Sequence, residues 1–132
     1  MTRASDLQEA LHRLGAKRVE STLVAALLAE GPLGTRDLVE RTGLRQPEVS
    51  VGMRALRDRG WVSAQTVPRE GRGRPMHRYL LETDLASIRR HYEELGKATI
   101  HEVEEALRTV RRQLGHMRHA EGGTRAADAH AA

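Results

Sequence analysis

The sequence contains no cysteine and no phenylalanine, and aromatic residues make up 2% of its 132 residues. The absence of cysteine excludes disulfide bonds, thiolate metal sites and a cysteine nucleophile. Because aromatic rings are scarce, the core must be built from leucine, valine, alanine, isoleucine and methionine. A compact monomer with such a core would be marginally stable. Burial of apolar surface against a second subunit would make it more stable.

Long apolar stretches are also missing from the chain. No run approaches the ~20 apolar residues that a membrane-spanning helix needs. The N-terminal stretch MTRASDLQEALHRL places charged residues too early for a signal peptide. We therefore expect a cytoplasmic protein with no membrane partner.

Motifs for catalysis are absent as well. The chain has no nucleophile elbow, phosphate-binding loop, paired-carboxylate site or metal-hydrolase motif, so we expect neither an enzyme nor a cofactor. A candidate for metal binding is His116 with His119, which would need a third ligand from a partner subunit. Two histidines at this spacing are more often ordinary surface residues, and we predict no metal site.

Positive charge is concentrated in one segment. The formal net charge of the chain is +4. Residues 36–78 carry ten arginines against five acids, or +5, which leaves the rest of the chain at −1. A positive field confined in this way is typical of a surface that binds a polyanion. The arginines are Arg36, Arg41, Arg45, Arg54, Arg57, Arg59, Arg69, Arg72, Arg74 and Arg78.

The spacing of apolar residues predicts four short helices followed by two strands. Gly43 should supply the turn before the fourth helix, and Pro47 suits the first turn of that helix. Along it, Val49, Met53 and Leu56 recur at i, i+4 and i+7 and should face the core. The predicted helices cover about residues 5–14, 17–29, 36–42 and 46–59, and the predicted strands cover 61–66 and 77–81 with a basic loop between them.

A long helical stretch follows, capped by Thr83 or Asp84. It carries two apolar seams with coiled-coil-like spacing, and the register slips between them near Gly96. One kinked helix and two separate helices are both compatible with this pattern. From about Ala120 the small, polar composition predicts a disordered tail. The first seam is Leu85, Ile88, Tyr92 and Leu95, and the second is Val103, Leu107, Val110, Leu114 and Met117.

The order helix, turn, helix, strand, basic loop, strand is typical of the DNA-reading half of a winged helix-turn-helix. We therefore expect a mainly α fold with a small β-hairpin wing and a long C-terminal helical extension. The N-terminal part of the fourth helix would enter the major groove, where glutamine can bind adenine and arginine can bind guanine. The loop arginines suit a narrow minor groove. The predicted DNA-binding residues are Arg45, Gln46, Ser50, Arg54, Arg57, Arg69, Arg72 and Arg74.

The same run resembles a known family. Residues 44–50, 56–57 and 60–62 are similar to the recognition helix and following strand of ArsR-type winged-helix regulators, and the long C-terminal helix is similar to that of archaeal MarR- and TrmB-type regulators. The resemblance covers about residues 17–82 and implies a dimeric, DNA-binding transcription regulator. The cysteine ligands of ArsR-type metal sensors and the TrmB sugar-binding domain have no counterpart. The matching base-facing positions are Gln46, Ser50 and Arg54.

We therefore expect a homodimeric regulator that binds double-stranded DNA sequence-specifically; the sequence does not identify a small-molecule effector. Residues 1–82 would form the DNA-binding domain, 83–119 the dimerisation helix and 120–132 the tail. Two other interpretations stay open: a winged helix that docks proteins, and a chromatin protein that binds DNA without sequence preference. The predicted dimerisation residues are Leu85, Ile88, Tyr92, Leu95, Val103, Leu107, Val110 and Leu114.

The basic loop gives a first testable prediction. Replacing Arg72 and Arg74 together with alanine should weaken binding to every duplex, because contacts with phosphates are lost. Each lost contact should also reduce, by about 0.9 per subunit, the slope of the logarithm of the binding constant against the logarithm of the salt concentration. Fluorescence anisotropy over a salt series would measure both quantities. If the arginines enter a minor groove, the loss should be greater on A/T-rich flanks. Unchanged affinity and slope would instead favour the protein-docking interpretation.

Overall fold

The computed structural model describes the backbone of residues 3–67 and 76–131 and the side chains of residues 4–67 and 77–117. Within these ranges the fold is mainly α, with a small three-stranded antiparallel sheet and a long C-terminal helix. The elements are α1 (Arg3–Arg13), α2 (Arg18–Glu30), β1 (Leu33–Gly34), α3 (Thr35–Thr42), α4 (Gln46–Asp58), β2 (Val62–Val67), β3 (Met76–Leu81) and α5 (Leu85–Ala131). None of the described helices combines the length and hydropathy of a membrane-spanning segment.

Helices α1 to α4 and strands β2 and β3 lie where the apolar spacing predicted them, with small shifts at their ends. Helix α1 begins at Arg3, two residues before its predicted start at residue 5. Strand β1 was not predicted from the sequence. It consists of Leu33 and Gly34 alone, and two residues are too few to show an alternating pattern.

The sheet has the order β1-β3-β2, so β3 is its central strand. Tyr79 on β3 is paired with Leu33 of β1 on one side and with Ala64 of β2 on the other. The predicted strand pair is therefore present, and β1 adds a third strand to it. The connection between β2 and β3, residues 68–75, lies outside the described residues, and so do the predicted DNA-binding residues Arg69, Arg72 and Arg74.

The core is aliphatic, as the composition predicted. The side chains of Val49, Met53 and Leu56 on α4 are at most 1% exposed, which confirms that this stripe faces inward. They pack with buried leucines and valines of α2 and α3 in one hydrophobic cluster. The burial of this stripe fixes which side of α4 faces the solvent. The fully buried residues of α2 and α3 include Leu23, Val24, Leu27 and Leu38.

Two glycines allow the helices to approach each other. Gly43 ends α3 with φ of +75°, in the left-handed region that favours glycine, and its N–H donates to the Val39 carbonyl at 3.0 Å. Gly52 lies where α4 crosses α2. A Cβ atom at this position would be 2.5 Å from Leu23 Cδ1 and 2.9 Å from Val19 Cγ1. The absence of a side chain therefore sets how closely α4 packs on α2.

A polar cluster connects α2 with the end of α4 and with α5. The Arg59 guanidinium donates to both carboxylate oxygens of Glu20, at 2.7 and 3.2 Å, and Tyr92 Oη donates to Glu20 Oε2 at 2.7 Å. Arg59 also lies 4.6 Å from the ring centroid of Trp61. The Trp61 ring packs edge-on against His91 and Tyr92. One carboxylate thus holds residues from three helical regions together.

The cluster shifts the ionisation of its members in consistent directions. Burial raises the pKa of Glu20, but the hydrogen bonds from Arg59 and Tyr92 outweigh it, so the pKa lies below its ordinary value of 4.5. The hydrogen bond to Glu20 raises the pKa of Arg59. Burial and the hydrogen bond to Glu20 raise the pKa of Tyr92, whereas burial lowers the pKa of His91. Glu20 and Arg59 are therefore both charged at neutral pH.

The first turns of α5 belong to this core. Asp84 Oδ1 accepts a hydrogen bond from the Ser87 N–H at 2.8 Å and caps the helix, as predicted. Ile88 and Tyr92 are buried, and Leu95 packs half-buried against the same cluster. The first compact unit therefore extends through residues 1–96 and not only to the predicted boundary at 82.

This packing corrects the interpretation of the first seam. Ile88 and Tyr92 are predicted dimerisation residues, yet they are 5% and 3% exposed within their own chain. They have almost no surface left to offer a partner, because α5 uses them to cover α1 and α2 residues of the core. Leu85, in contrast, remains exposed.

The second compact unit begins at Lys97 and contains the remainder of α5, which ends at Ala131. The structure assigns a single helix from Leu85 to Ala131, which decides between one helix and two. This helix also continues through the segment for which the composition predicted a disordered tail. Alanine is the commonest residue over 120–131, and its high helix propensity favours this continuation.

The burial of α4 gives a testable prediction for stability. Met53→Ala should lower the free energy of unfolding by about 2–5 kcal/mol, because it leaves a cavity in a small core. Val51→Ala on the same helix is the matched control. Its side chain is 71% exposed, so its effect should stay below about 0.5 kcal/mol. Urea unfolding followed by circular dichroism would measure both variants, and equal effects would contradict the assignment of the buried face.

The Glu20 cluster gives a prediction for pH dependence. Because folding lowers the pKa of Glu20, its charge stabilises the fold above pH 4.5 and this stabilisation is lost as the pH falls through the lower folded-state value. Glu20→Gln should therefore be less stable than wild type at pH 7, and the difference should shrink only below pH 4.5. Glu30→Gln, which removes an exposed pair with Arg41, should have little effect at either pH. A difference that is the same at pH 7 and pH 3 would contradict this role.

Candidate nucleic-acid interface

The turn between α3 and α4 is held by local hydrogen bonds. The hydroxyl of Thr42 donates to the Leu38 carbonyl and accepts from the Leu44 N–H at 3.1 Å. Leu44 itself is buried in the core. Together with the left-handed conformation of Gly43, these contacts fix the direction in which α4 leaves α3.

The N-terminus of α4 is capped by Glu48. Its Oε1 accepts a hydrogen bond from the Arg45 N–H at 3.0 Å and lies 3.6 Å from Arg45 Nε. The backbone hydrogen bond from Arg45 holds the pKa of Glu48 below its ordinary value. Glu48 therefore stabilises the helix start, a role that the sequence reasoning did not assign. The Arg45 side chain remains 84% exposed beside it.

The predicted reading residues share one exposed face of α4. Gln46, Ser50, Arg54 and Arg57 are all exposed and follow one another at intervals of four, four and three residues. This spacing brings them to one side of a helix with 3.6 residues per turn. The buried stripe of Val49, Met53 and Leu56 lies about a quarter of a turn away around the helix, so the polar face borders the core along one edge and is exposed to solvent. Its contact with DNA stays a prediction.

An open groove runs beside this face. It has a volume of about 660 Å³ and lies between α4 and β3. The structure therefore brings Ser50, Arg54 and Arg57 together with Tyr79, which sequence reasoning did not include in the site. In the sequence, only the alternation of His77, Tyr79 and Leu81 along the predicted strand could have indicated that Tyr79 belongs to the site. Residues that alternate in this way point to one face of a sheet. The groove is lined by Ser50, Val51, Arg54, Arg57, Asp58 and Tyr79.

Several arginines of the basic segment are engaged by carboxylates of their own chain. Arg59 is paired with Glu20, and Arg41 is paired with Glu30 and lies 3.4 Å from Asp37. Fewer arginines of residues 36–78 are therefore unneutralised than the count of arginines suggested. Among the described residues, Arg54 and Arg57 are the arginines that line the groove.

The histidines form no metal site in the described part of the chain, where no group of three or more histidine, aspartate or glutamate side chains could hold a metal ion. His91 belongs to the aromatic cluster around Trp61. His101 Nε2 lies 3.5 Å from Glu105 Oε1. His116 is exposed, and the side chain of His119 lies outside the described residues.

Comparisons with known proteins give similarity to solved structures but no match of sequence. No protein-family model matches the chain, and no curated protein sequence matches it. Among solved structures, the chain is similar to the crystal structure of Rv0081 from M. tuberculosis, with a TM-score of 0.41 and 15% sequence identity. The match covers 86% of this chain and 99% of that chain. The function must therefore be inferred from the residues of this chain.

Proposed function

We propose that this chain is a cytoplasmic winged helix-turn-helix transcription regulator that binds double-stranded DNA as a homodimer. Helices α3 and α4 with the turn at Gly43 would form the helix-turn-helix, and strands β2 and β3 with their basic loop would form the wing. The observation that carries the proposal is the exposed polar stripe along α4, which lies beside the buried stripe of the same helix. The stripe consists of Gln46, Ser50, Arg54 and Arg57.

The stripe has the chemistry that major-groove recognition requires. The amide of Gln46 can make two hydrogen bonds to adenine, and the guanidinium of Arg54 can make two to guanine. Ser50 lies between them along the helix and is short enough to let the helix approach the bases closely. The major groove admits one α-helix, and the polar stripe of α4 is exposed to solvent.

The groove between α4 and β3 supports contact with the sugar–phosphate backbone. Arg57 of α4 and Tyr79 of β3 line it, and a guanidinium and a phenol hydroxyl can both donate hydrogen bonds to phosphate oxygens. Contacts of this kind position a protein on the duplex but do not read its sequence. The carboxylate of Asp58 at the same groove would repel phosphate, so we expect the backbone to run on the Arg57 side.

The exposed apolar residues of α5 support dimerisation. Side chains such as Val103, Leu107 and Val110 are about half exposed and repeat at coiled-coil spacing. A second copy would cover them and present a second α4 to the DNA. Two linked reading helices bind far more tightly than one, because the second binding event becomes intramolecular.

A protein-docking module is the second candidate, and a specific observation favours it. Val51 lies on α4 beside the proposed reading residues and is 71% exposed. An exposed aliphatic side chain at this position suits an apolar partner as well as the methyl group of thymine. The two functions differ in their dependence on Arg54, which a DNA reader needs.

The reading face gives a testable prediction. Arg54→Ala should weaken binding to the preferred duplex by roughly 1–3 kcal/mol and relax the preference at one base pair in each half-site. Binding to a scrambled duplex should barely change, because the remaining arginines still contact phosphates. The preferred sequence would first be selected from random DNA, and anisotropy at fixed salt would then compare the two duplexes.

Arg108→Ala is the matched control for this experiment. It removes the same charge from α5, where Arg108 pairs with Glu105 at 3.1 Å, and it should leave the sequence preference intact. If Arg54→Ala weakens both duplexes equally, Arg54 contacts only the backbone and the assigned reading face is wrong. If the wild-type protein selects no sequence and binds no duplex, the protein-docking function replaces this proposal.

A further inference from the structure

The exposed seam of α5 has an unbroken heptad pattern. Six apolar side chains between residues 100 and 117 follow one another at intervals of 3, 4, 3, 4 and 3. All of them are between 47% and 60% exposed. In heptad notation the a positions are Ile100, Leu107 and Leu114, and the d positions are Val103, Val110 and Met117.

We propose that this seam pairs with the same seam of a second copy of the chain in an antiparallel coiled coil, with Leu107 opposite the partner's Val110. This inference rests on the proposed homodimer and adds the orientation and register of its two helices. In this register Val103 lies opposite the partner's Leu114, and Ile100 lies opposite the partner's Met117. All six apolar residues of each helix are then used.

Side-chain volume favours the antiparallel orientation. Each antiparallel layer combines an a residue with a d residue, so leucine faces valine in four of the six layers. A parallel pair would place leucine against leucine at the Leu107 and Leu114 layers, isoleucine against isoleucine at the Ile100 layer, and valine against valine at the Val103 and Val110 layers. Parallel dimers prefer β-branched residues at a and leucine at d, which is nearly the reverse of the arrangement here. Alternating large and small side chains across a layer also fills space better.

The flanking charges favour the same orientation. The e positions are occupied by Glu104, by Arg111 and, just beyond the seam, by Arg118, which in the proposed register lies near the partner's Lys97 at the end of the coil; the g positions are occupied by Thr99, Ala106 and Gln113. In an antiparallel coil e positions face e positions, so Glu104 lies beside the partner's Arg111, and the twofold axis repeats this pair. In a parallel coil e positions face g positions, which carry no charge here. Neither Glu104 nor Arg111 would then lie beside an opposite charge. Flanking charges of this kind set the orientation of coiled coils.

The orientation determines where the two copies of the first unit are attached. In the proposed register, Lys97 and the partner's Lys97 are separated by the rise of 23 residues, or about 35 Å along the coil axis. In a parallel coil the same two residues would lie side by side, at about the 8–10 Å that separates packed helices. The two arrangements therefore differ in which residues can be cross-linked.

Cysteine cross-linking of the full-length protein tests the orientation, because the natural chain has no cysteine. Val103→Cys and Leu114→Cys would be prepared separately, and light scattering would first establish that each remains dimeric. Oxidation of an equimolar mixture should give a disulfide-linked dimer on a non-reducing gel, whereas Val103→Cys alone should give none. The separation of Val103 from the partner's Val103 in the antiparallel coil is about 16 Å along the axis, too far for a disulfide.

The other outcomes of this experiment overturn the inference. Cross-linking of Val103→Cys with itself would show a parallel coil, and dimers that cross-link in neither sample would show a different interface. Both results would leave the proposed DNA-binding homodimer intact. A wild-type protein that is monomeric in light scattering would overturn the proposed homodimer as well.

Exchange of the flanking charges gives an independent test. Glu104→Arg and Arg111→Glu should each weaken the dimer roughly tenfold in analytical ultracentrifugation, because each places like charges at both pairs. An equimolar mixture of the two variants should recover wild-type affinity, since a mixed dimer again has opposite charges at both pairs. Glu105→Arg is the matched control, because residue 105 occupies the outer f position. If mixing restores nothing, the loss arises within one helix and the antiparallel pairing is wrong.

Discussion

The carboxylate of Glu20 is the contact on which the arrangement of the first unit depends. It accepts hydrogen bonds from Arg59, just beyond α4, and from Tyr92 on α5. The surrounding core is aliphatic, and contacts between aliphatic side chains have no preferred direction. A hydrogen-bonded ion pair does have a preferred direction. This cluster therefore specifies how α4 and α5 are oriented on α2. Loss of Arg59 would leave the partly buried carboxylate of Glu20 without its ion pair.

The same cluster explains why the arginine count overstated the positive surface. Arg59 is counted in the charge of the basic segment, but its guanidinium is paired with the carboxylate of Glu20. Arg41 is paired with Glu30 in the same way. What remains beside the groove is Arg54 and Arg57, on a helix whose other side is fixed by the core. Among the described residues, the groove side of the candidate site is therefore a small set of side chains with a defined orientation. Defined orientation is what base recognition requires, whereas a diffuse patch suits only phosphate contact.

The sequence predicted most of the helical framework because its apolar residues recur at regular spacing. The inward stripe of α4, from Val49 to Leu56, followed from spacing alone. Periodicity shows that a face is covered but not what covers it, and for this reason Ile88 and Tyr92 were assigned to a partner when they pack in their own chain. The Glu20–Arg59 pair joins residues 39 positions apart, which no local pattern reveals.

The position of Trp61 has a spectroscopic consequence. It is the single tryptophan of the sequence, and its ring is buried between the Arg59 guanidinium and the rings of His91 and Tyr92. Ultraviolet excitation at wavelengths absorbed by indole alone therefore excites one site, at the junction of α4, β2 and α5. The chain contains an intrinsic fluorophore whose emission responds to the packing of that junction, so it can be followed without any attached label.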